Sequence, residues 1–569
     1  MLYQWIYPEH NFPDISDTDI SKYAIHPVVA KILQQRNVCT SDQIQRFFEP
    51  DLEHLYDPFL FKDMEVAIER IIKAMRKGEN IMIYGDYDVD GVTSVSVLYD
   101  GLFKLGGKVS FFIPSRFQEG YGLSQAGIDL AKKRGVSLII TVDCGITAIE
   151  EVIYANSLGI EVIVTDHHEP GDTFPQATAI IDPKVQGCTY PFKELAGCGV
   201  AYKVLQGLCQ KLDVDQKFPE QYLDLVAIGT SADIVQLVDE NRIFVKNGLA
   251  KLKSNPRPGV FALLEICNLL DKRIGVHTIV FIIAPRINAV GRISNAKKAV
   301  HLLSSKSLQQ ARNIARIMEK ENKARKNIDE LTFKEAIEMV QNNLNIDEKR
   351  ILVLAKKDWH PGVIGIVASR IMEKFNRPSV LLSIRDGIGR GSARSTPGFD
   401  IFSAFKQLEH LFINYGGHRY AAGLTITEEN IDLLDKNINT ISQEYLKIKE
   451  MVPKLNIDAE LSFSQLTPSF FNSLKRLAPS GPSNMRPVFV SNNLEVYGRG
   501  TVVGRNHLKV KFKQNGVVLD AIGYKLGEHV EALKEARNGV NCAYVIEESK
   551  WNGQTTIQMK IKDFEVSDG

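Results

Sequence analysis

Carboxylates crowd a short stretch that follows an apolar run. In "ENIMIYGDYDVDGVTS" (residues 79–94) the apolar residues 81–84 lead into Asp86, Asp88 and Asp90, and glycine and hydroxyl residues follow. Carboxylates this close together repel one another, and they cannot all stay ionised without a nearby positive charge. Because a divalent cation supplies that charge, the stretch predicts a metal site.

Two later apolar runs end in the same way. "LIITVDCG" contains Asp143, and "VIVTDHH" contains Asp166, which His167 and His168 follow. In an open parallel sheet, ligands bind outside the carboxyl ends of the strands, so these side chains should converge on one edge. A single Asp at a strand end is as often a helix cap. Several strand ends that each carry an aspartate, together with two adjacent histidines, favour a functional site.

The types of donor narrow the choice of cation. Asp and His without Cys suit Mn²⁺ or Mg²⁺ better than structural zinc. A carboxylate shared between two ions about 3.5–4 Å apart is an arrangement used for phosphoester hydrolysis. The seven cysteines include no C-x-x-C pair, which argues against a disulfide framework and fits a reducing compartment. We therefore predict a two-metal site that takes Mn²⁺ or Mg²⁺.

The elements that position these residues form an α/β pattern. From residue 65 to about 235, helical stretches separate short apolar strands: "NIMIYGD", "KVSFFIP", "SLIITVDCG", "EVIVTDHH" and "TAIIDPK". Continuous apolar runs of this kind predict a parallel sheet with helices on both faces. The helix after the first carboxylates carries Val95, Leu98, Leu102 and Leu105 on one face.

The remainder of the chain differs in character. A polar helical segment without Pro or Gly follows, then a second α/β unit, then a strand-rich region with Asn515-Gly516 and Asn552-Gly553 as predicted hairpin turns. The predicted domains are an N-terminal appendage without an assigned role (1–64), a catalytic domain (65–305), a connecting helix (306–349), a smaller α/β domain (350–450) and a strand-rich domain (455–569).

Bulk composition excludes some classes of protein. The chain has 569 residues and a net charge of +1, so any site for a polyanion must be a local group of Lys and Arg. The N-terminus lacks a basic region followed by an apolar core, and no run of about 18 apolar residues occurs. These features predict a cytoplasmic protein of several domains with no membrane association.

The motifs resemble those of a known superfamily. "DYDVDG" with Ser94, "VDCG", "TDHH" and "LVAIGTSADIV" occur in the order of the four motifs of the DHH phosphoesterases. "NYGGHRYAAGL" resembles the associated DHHA1 domain, and "PRINAVGR", "GSARS" and the strand-rich C-terminal region narrow the resemblance to the RecJ family of single-strand-specific 5′→3′ exonucleases. The resemblance covers residues 60–569. It implies a parallel-sheet DHH catalytic domain, a smaller α/β DHHA1-type domain and a C-terminal β-rich, OB-fold-like domain.

The resemblance also implies a set of metal ligands. These are Asp86, Asp88, Asp90, Asp143, His167 and Asp233. Asp143 would bridge the two ions. Asp86 stands where many members place a histidine slightly further upstream, which leaves its direct ligation open. Asp233 by itself would be interpreted as a helix cap.

Catalytic roles follow from the same resemblance. His168 would interact with the scissile phosphate or protonate the leaving oxygen. Asp166 would orient His168 and the ligand His167, as carboxylates behind metal-site histidines commonly do.

Strand binding is implied for several polar residues outside the carboxylate motifs. Arg286 and Arg292 in "APRINAVGR" and Arg394 in "GIGRGSARS" lie beside small residues that let the backbone approach a phosphate. A structural ion pair is the competing interpretation for each. The resemblance implies that the 5′-terminal phosphate contacts Arg116, Ser392 and Arg394, and that Arg286, Asn288 and His418 hold the strand near the cut.

Two patterns outside the motifs remain ambiguous. One stripe of the connecting helix contains Ala311, Ala315, Met318, Asn322 and Arg325, and it either faces a strand channel or belongs to a solvated helix. "HLKVKFK" places Lys509, Lys511 and Lys513 on one strand face. Such a face fits a single-strand-binding OB-fold or is simply solvated.

The expected function is a metal-dependent 5′→3′ exonuclease that degrades single-stranded DNA to 5′-mononucleotides in DNA repair and recombination. A single-strand-binding protein and a helicase are further expected partners. The alternatives are a DHH phosphodiesterase acting on short RNA or cyclic dinucleotides, a family II pyrophosphatase and an inactive single-strand-binding relative. The first two classes are much shorter. Inactivity conflicts with the presence of every motif carboxylate and both histidines.

Overall fold

The computed structural model describes residues 2–8, 12–116, 119–343, 348–446, 452–534, 536, 539–551 and 554–566. The chain divides into two compact units. The larger unit comprises Tyr7–Glu319 and Ile457–Gly569, and the smaller unit comprises Met1–Ile6 and Lys320–Asn456.

The N-terminal region contributes helices to the larger unit. Its elements are β1 (Gln4–Ile6), α1 (Asp17–Lys22), α2 (Pro27–Gln35) and α3 (Ser41–Phe48). Val29 and Ile32 on α2 and Phe47 on α3 are buried in one hydrophobic cluster with Phe470 and Phe489 from the strand-rich region. Residues 15–48, which lie in the N-terminal segment to which the sequence assigned no role, therefore help to build the core beneath the C-terminal strands.

The predicted parallel sheet is present. Its strands are β2 (Asn80–Gly85), β3 (Lys108–Phe112), β4 (Val136–Val142), β5 (Glu161–Thr165) and β6 (Ala179–Ile181), in the order β3-β2-β4-β5-β6. All neighbouring pairs are parallel. Alternate residues of β2 enter different apolar clusters: Ile81 and Ile83 pack on one side, and Met82 and Tyr84 on the other. Burial on both faces explains why each strand is a continuous apolar run.

Helices surround this sheet. They are α4 (Met64–Lys77), α5 (Val89–Lys104), α6 (Gln125–Lys133), α7 (Ile149–Ser157), α8 (Gly197–Lys211), α9 (Leu223–Ala232), α10 (Asp239–Ser254), α11 (Pro258–Ile266), α12 (Val276–Thr278), α13 (Ala284–Ile293) and α14 (Lys297–Leu303). On α5 the predicted apolar face is buried at Val95, Leu98 and Leu102, and Leu105 is partly buried. The helix and its buried face, which were predicted from the spacing of these apolar residues, are confirmed.

A π-helical turn, Ile279–Ile283, joins α12 to α13. The resulting stretch Val276–Ile293 has the length and mean hydropathy (1.3) of a membrane span, with 39% of its window buried. It also carries Arg286 and Arg292. Apolar helices that belong to a protein core meet the same criteria of length and hydropathy, so this stretch is weak support for a membrane association.

The predicted connecting segment is one helix, α15 (Leu308–Asn343). Along its predicted stripe, Ala311, Ala315 and Met318 are buried, and Asn322 and Arg325 are 1% and 8% exposed. The stripe is therefore not a solvated face.

The smaller unit contains a mixed sheet. Its strands are β7 (Leu352–Lys357), β8 (Ser379–Arg385), β9 (Ile388–Arg394), β10 (Phe412–His418) and β11 (Ala421–Thr427), in the order β10-β11-β9-β8-β7. The helices are α16 (Pro361–Phe375), α17 (Ile401–Gln407) and α18 (Ile431–Tyr445). Only the β7–β8 pair is parallel among these described strands. Strand β12 (Lys454–Asn456) pairs in parallel with β1.

The C-terminal strands form a closed barrel. The elements are β13 (Ala459–Glu460), α19 (Pro468–Lys475), β14 (Phe489–Val496), β15 (Thr501–Val503), β16 (His507–Gln514), β17 (Val517–Gly523), α20 (Val530–Lys534), β18 (Val540–Trp551) and β19 (Gln554–Val566). The sheet order β14-β18-β19-β17-β16 closes through a β14–β16 pairing. Five strands closed in this way fit the predicted OB-fold-like architecture.

One of the two predicted hairpin turns can be checked. Asn515 and Gly516 connect β16 to β17 with φ values of +51° and +80°. Positive φ at both central residues is what a two-residue type I′ turn requires, so this turn is confirmed. Asn552-Gly553 lies outside the described residues.

The shared core predicts that an N-terminal substitution destabilises the larger unit. Ile32 is fully buried in the cluster that contains the barrel residues. We expect Ile32→Ala to lower the free energy of unfolding by about 2–5 kcal/mol, because the cavity forfeits packing on all sides. Denaturant unfolding of the full chain measures the change. The exposed neighbour Lys31 provides the control variant Lys31→Ala, and equal midpoints for the two variants would contradict the shared core.

Candidate metal centre

The carboxyl ends of three adjacent strands deliver three aspartates to one edge of the sheet. Asp86 follows β2, Asp143 follows β4 and Asp166 follows β5, and all three are buried. The parallel register pairs Gly85 with Val142 and Val142 with Thr165, so the three side chains begin at the same level. The convergence predicted from the sequence is confirmed.

Helix α5 brings two more carboxylates to this edge. Asp88 is its N-cap, and its carboxylate accepts a hydrogen bond from the Gly91 N–H at 3.1 Å. Asp90, in the first turn, accepts hydrogen bonds from the N–H groups of Gly197 (2.6 Å) and Cys198 (3.0 Å), which open α8. The helix N-termini thus hold both carboxylates by fixed donors and a favourable dipole.

His167 lies at the centre of the cluster. Its Nε2 is 3.1 Å from Asp143 Oδ1, 3.6 Å from Asp233 Oδ2 and 3.9 Å from Asp90 Oδ2. This nitrogen is buried and makes no hydrogen bond with the described residues. Burial lowers the pKa of His167, which favours the neutral imidazole that ligates metals.

His168 has a different environment. Its Nδ1 is 2.7 Å from Asp166 Oδ1, and its side chain is 35% exposed. Burial alone would lower the pKa of His168, but the hydrogen bond and the charge of Asp166 raise it to about 9. Asp166 is fixed in turn, because its Oδ2 accepts the Ile146 N–H at 3.0 Å. Burial raises the pKa of Asp166, and the contact with His168 outweighs that effect and lowers it.

The cluster carries too much negative charge for its surroundings. Burial, followed by repulsion from neighbouring carboxylates, raises the pKa of four members: Asp86, Asp88, Asp143 and Asp233. The Oδ1 atom of Asp86 is buried and makes no hydrogen bond with the described residues. A divalent cation would satisfy the unpaired oxygen and remove the repulsion.

The donor atoms fall into groups of the right size for metal binding. Three sets each bring their ligand atoms within 4.8 Å of one another: Asp143 with His167 and His168, Asp90 with His167 and Asp233, and Asp86 with Asp88 and Asp143. Asp143 and His167 each belong to two sets. Oxygen donors combined with imidazole fit Mn²⁺ or Mg²⁺, and a shared Asp143 fits two adjacent ions.

Backbone strain marks the position of Asp143. Its φ is +59°, a left-handed conformation that few residues other than glycine adopt. The carboxylate lies against the start of α8, where a Cβ on Gly197 would come within 2.7 Å of Asp143 Oδ1. Glycine is therefore required at residue 197 for this carboxylate to reach the cluster.

The sequence did not identify two tyrosines at the site. The Tyr121 hydroxyl donates to the Asp143 carbonyl at 3.3 Å and lies 3.4 Å from both ring nitrogens of His168. The Tyr87 ring stacks under the Arg116 guanidinium, 4.3 Å away, and Arg116 Nε makes no hydrogen bond with the described residues. A signal was present, because Tyr87 lies inside the carboxylate motif and Tyr121 follows Arg116 by five positions.

Helix α13 carries three of the predicted strand-holding residues: Arg286, Asn288 and Arg292. All three are partly buried. Arg286 donates from Nε to Glu319 at 2.7 Å, so the ion-pair interpretation describes its state in this structure. The helix packs against the carboxylate motif, where a Cβ on Gly291 would lie 2.9 Å from the Tyr87 carbonyl.

The other predicted strand-binding residues lie in the smaller unit. Ala421 on β11 pairs with Arg394 on β9 and with His418 on β10, so these two residues lie at the same level of the sheet. Arg394 Nη1 donates to Ser392 Oγ at 3.0 Å, and His418 is exposed. Ser392, Arg394 and His418 therefore share one face near one end of the sheet.

Family models match three parts of the chain. A model described as the DHH family, N-terminal domain, matches residues 80–230, the DHHA1 domain matches residues 348–444, and the RecJ OB domain matches residues 457–563. The three matches follow the order expected from the motifs.

Curated relatives match along almost the whole chain. The single-stranded-DNA-specific exonuclease RecJ of Bacillus subtilis (strain 168) is 39% identical over 547 residues, which are 96% of this chain and 68% of that protein. The protein of the same description from Escherichia coli (strain K12) is 32% identical over 575 residues, with 96% and 97% coverage.

Solved structures agree with the sequence relatives. The crystal structure of RecJ in complex with Mn²⁺ from Thermus thermophilus superposes with a TM-score of 0.84 at 27% identity, covering 100% of this chain and 80% of that one. A crystal structure of exonuclease RecJ bound to manganese has a TM-score of 0.60 at 34% identity, with 68% and 96% coverage.

The geometry predicts that Asp143 controls metal affinity. We expect Asp143→Asn to weaken Mn²⁺ binding by at least about tenfold, because one carboxylate serves two groups of ligands. Asn tolerates the left-handed backbone, so the fold should be retained. Titration calorimetry on the full chain measures the affinity, with Glu150→Gln, an exposed acid on α7, as the control. Unchanged binding in a folded Asp143→Asn variant would refute the site.

Proposed function

The chain belongs to the RecJ family of single-stranded-DNA-specific exonucleases, and we propose that it hydrolyses single-stranded DNA from the 5′ end to 5′-mononucleotides. The reaction would serve DNA repair and recombination. The observation that carries the proposal is the buried His167 Nε2 without a hydrogen bond to the described residues, within 4 Å of three carboxylates from three different elements. That constellation fits phosphodiester hydrolysis with divalent ions.

The ions would be held by the buried cluster of Asp86, Asp88, Asp90, Asp143, His167 and Asp233. Mn²⁺ and Mg²⁺ are the metals named for the solved Thermus thermophilus relatives, and the oxygen-rich donor set suits both. Divalent ions in such a site polarise a phosphoryl oxygen and lower the pKa of the attacking water. The protein's own contribution includes holding Asp88 and Asp90 in place through the N-termini of α5 and α8.

His168 is proposed to act on the substrate. Its Nδ1 is engaged by Asp166, so in the protonated ring Nε2 carries the second N–H. From there it can donate a hydrogen bond to the scissile phosphate or a proton to the leaving oxygen. Asp166 and the Tyr121 hydroxyl would limit the ring's motion. His167 stays neutral and serves as a ligand.

Several polar residues are proposed to bind the strand. Arg116, Ser392 and Arg394 would contact the 5′-terminal phosphate, and Arg286, Asn288, Arg292 and His418 would hold the chain near the cut. Arginine suits this role because its planar fork makes paired, charge-assisted hydrogen bonds to phosphate. Binding through Arg286 would require its bond to Glu319 to open.

The barrel is proposed to grip the strand beyond the active site. Lys509 and Lys511 are exposed on β16, with Lys513 partly exposed. Two of these lysines have acidic neighbours: Lys511 lies 3.7 Å from Asp520, and Lys513 lies 3.2 Å from Glu495. Exposed ion pairs of this kind are weak, so phosphates can replace the acids.

The cellular setting and the domain plan are also proposals. We place the protein in the cytoplasm, with a single-strand-binding protein and a helicase as partners. The proposed functional domains are residues 65–305 for catalysis, 306–349 as the connecting helix, 350–450 for the DHHA1-type domain and 455–569 for nucleic-acid binding.

Recognition of the strand end predicts a selective effect of Arg394. We expect Arg394→Ala to weaken cleavage of 5′-phosphorylated strands by about tenfold or more, because a charge-assisted hydrogen bond contributes about 1.5–3 kcal/mol. The ratio of the cleavage rate on 5′-phosphorylated strands to the rate on 5′-hydroxyl strands should fall. Initial rates on matched labelled strands measure both. Arg385→Ala, at the opposite end of the same sheet, is the control, and an equal loss on both substrates would contradict terminal-phosphate binding.

The lysine face predicts a change in salt dependence. We expect the double variant Lys509→Gln/Lys511→Gln to bind long single strands less tightly and to lower the salt slope by roughly one for each phosphate that is no longer neutralised. Binding isotherms at several salt concentrations give the slope. Lys73→Gln, an exposed lysine on α4, should leave the slope unchanged. If the double variant keeps the wild-type slope, the lysines are only a solvated face.

A further inference from the structure

Arg242 on α10 is a fully buried cation, 1% exposed, whose side-chain hydrogen bonds to the described residues all go to backbone carbonyls. Its five N–H groups donate to five carbonyl oxygens at 2.9–3.2 Å, those of Phe47, Arg476, Leu477, Ala478 and Pro479. Within the part of the chain that the structure describes, Arg242 forms no ion pair. The side chain therefore joins α10 to the end of α3 and to the segment that follows α19.

The five carbonyl oxygens around Arg242 satisfy all of its donors. The guanidinium has five donors in a rigid fork, and each has an acceptor here. The Phe47 ring lies 3.9 Å from the guanidinium carbon and adds a cation–π contact. Burial and the charge of Arg36 lower the pKa of Arg242 to about 9, so it stays charged at neutral pH. Displacing the 476–479 segment would leave a buried charge and several carbonyls unpaired, which is costly.

The same segment reaches the loop that carries a proposed metal ligand. The Leu237 N–H donates to the Pro482 carbonyl at 2.8 Å. Leu237 is buried, and a Cβ on Gly481 would lie 3.0 Å from its side chain. Because Leu237 lies only four residues after Asp233, these contacts fix the far end of the loop on which Asp233 stands.

The loop is strained between its two ends. Ile234, directly after Asp233, has a φ of +63° although it is β-branched and 62% exposed. Such a conformation persists only where surrounding contacts impose it. The loop is also held by Asn241, whose Nδ2 donates to the Gln236 carbonyl at 2.9 Å, and by Val235 and Val238, which pack against the core of the catalytic sheet. Asn241 is adjacent to Arg242, so α10 and the 476–482 segment constrain the loop together.

We propose that Arg242 and the Gly481–Leu237 contact are positioning elements for Asp233, so that docking of the C-terminal domain sets the affinity of the metal centre. The inference rests on the proposed role of Asp233 as a ligand. It gives the C-terminal domain a second role besides strand binding, because the segment 476–482 contacts the loop that carries Asp233.

The test uses Gly481→Val in the full chain and measures Mn²⁺ binding by titration calorimetry without DNA. The added side chain pushes on Leu237 and should weaken Mn²⁺ binding by roughly tenfold, as expected for a group that orients a ligand. In an Asp233→Ala background the same substitution should cause no further loss of Mn²⁺ affinity.

Two further variants test the mechanism. The double variant Gly481→Val/Leu237→Ala, which relieves the clash, should regain part of the Mn²⁺ affinity. Arg242→Lys, which keeps the charge and loses donors, should resemble Gly481→Val.

Different outcomes identify different failures. Unchanged Mn²⁺ affinity in a folded Gly481→Val variant, or an equal loss with and without Asp233, overturns the positioning role. Unchanged Mn²⁺ binding in Asp233→Ala alone overturns the ligand assignment on which the inference depends. Circular dichroism and thermal unfolding report folding of each variant. If Gly481→Val does not fold, Leu237→Ala alone carries the test. It removes the side-chain contact without adding a clash, so it should weaken Mn²⁺ binding less than Gly481→Val does, and unchanged Mn²⁺ affinity in this variant overturns the positioning role.

Discussion

The fold of the catalytic domain is organised around a group of buried carboxylates that repel one another. Asp90, Asp143 and Asp233 all lie within 4 Å of the same imidazole nitrogen. In a low-dielectric interior, such a group is tolerable only when its charge is balanced. Divalent ions supply the balance, and the pKa of four members is raised by burial and by their neighbours' charges, the direction that favours a bound positive charge.

The parallel sheet is the means by which this crowding is achieved. Strand ends at one level place Asp86, Asp143 and Asp166 side by side, and helix N-termini orient Asp88 and Asp90. Two backbone features allow the Asp143 carboxylate to fit into this crowded site. Asp143 has a left-handed conformation, and residue 197 is a glycine, which leaves room for the carboxylate. Both faces of the sheet pack against apolar clusters, and the carboxylates lie at the carboxyl edge of the strands.

The strand-rich region and the N-terminal helices are part of the same unit as the catalytic sheet. The N-terminal helices and the strand-rich region share one hydrophobic core. Arg242 on α10 donates hydrogen bonds to backbone carbonyls of both. Five carbonyl acceptors around one guanidinium favour a single arrangement of the three segments, because each donor needs its own acceptor. The loop between α9 and α10, which carries Asp233, is joined to the segment after α19 by the hydrogen bond from the Leu237 N–H to the Pro482 carbonyl.

The sequence alone determined the parallel sheet, the α5 face, the long α15 helix and the set of carboxylates at the strand ends. These features depend on the periodicity of apolar residues and on interactions between residues that are close together in the chain, so a local stretch of sequence is enough to predict them. Tertiary structure alone decided the place of residues 15–48, the pairing of Arg286 with Glu319, the position of Tyr121 beside His168 and the carbonyl oxygens around Arg242. Each of these is a contact between residues far apart in sequence, and no local pattern encodes which distant carbonyl, ring or carboxylate a side chain will meet.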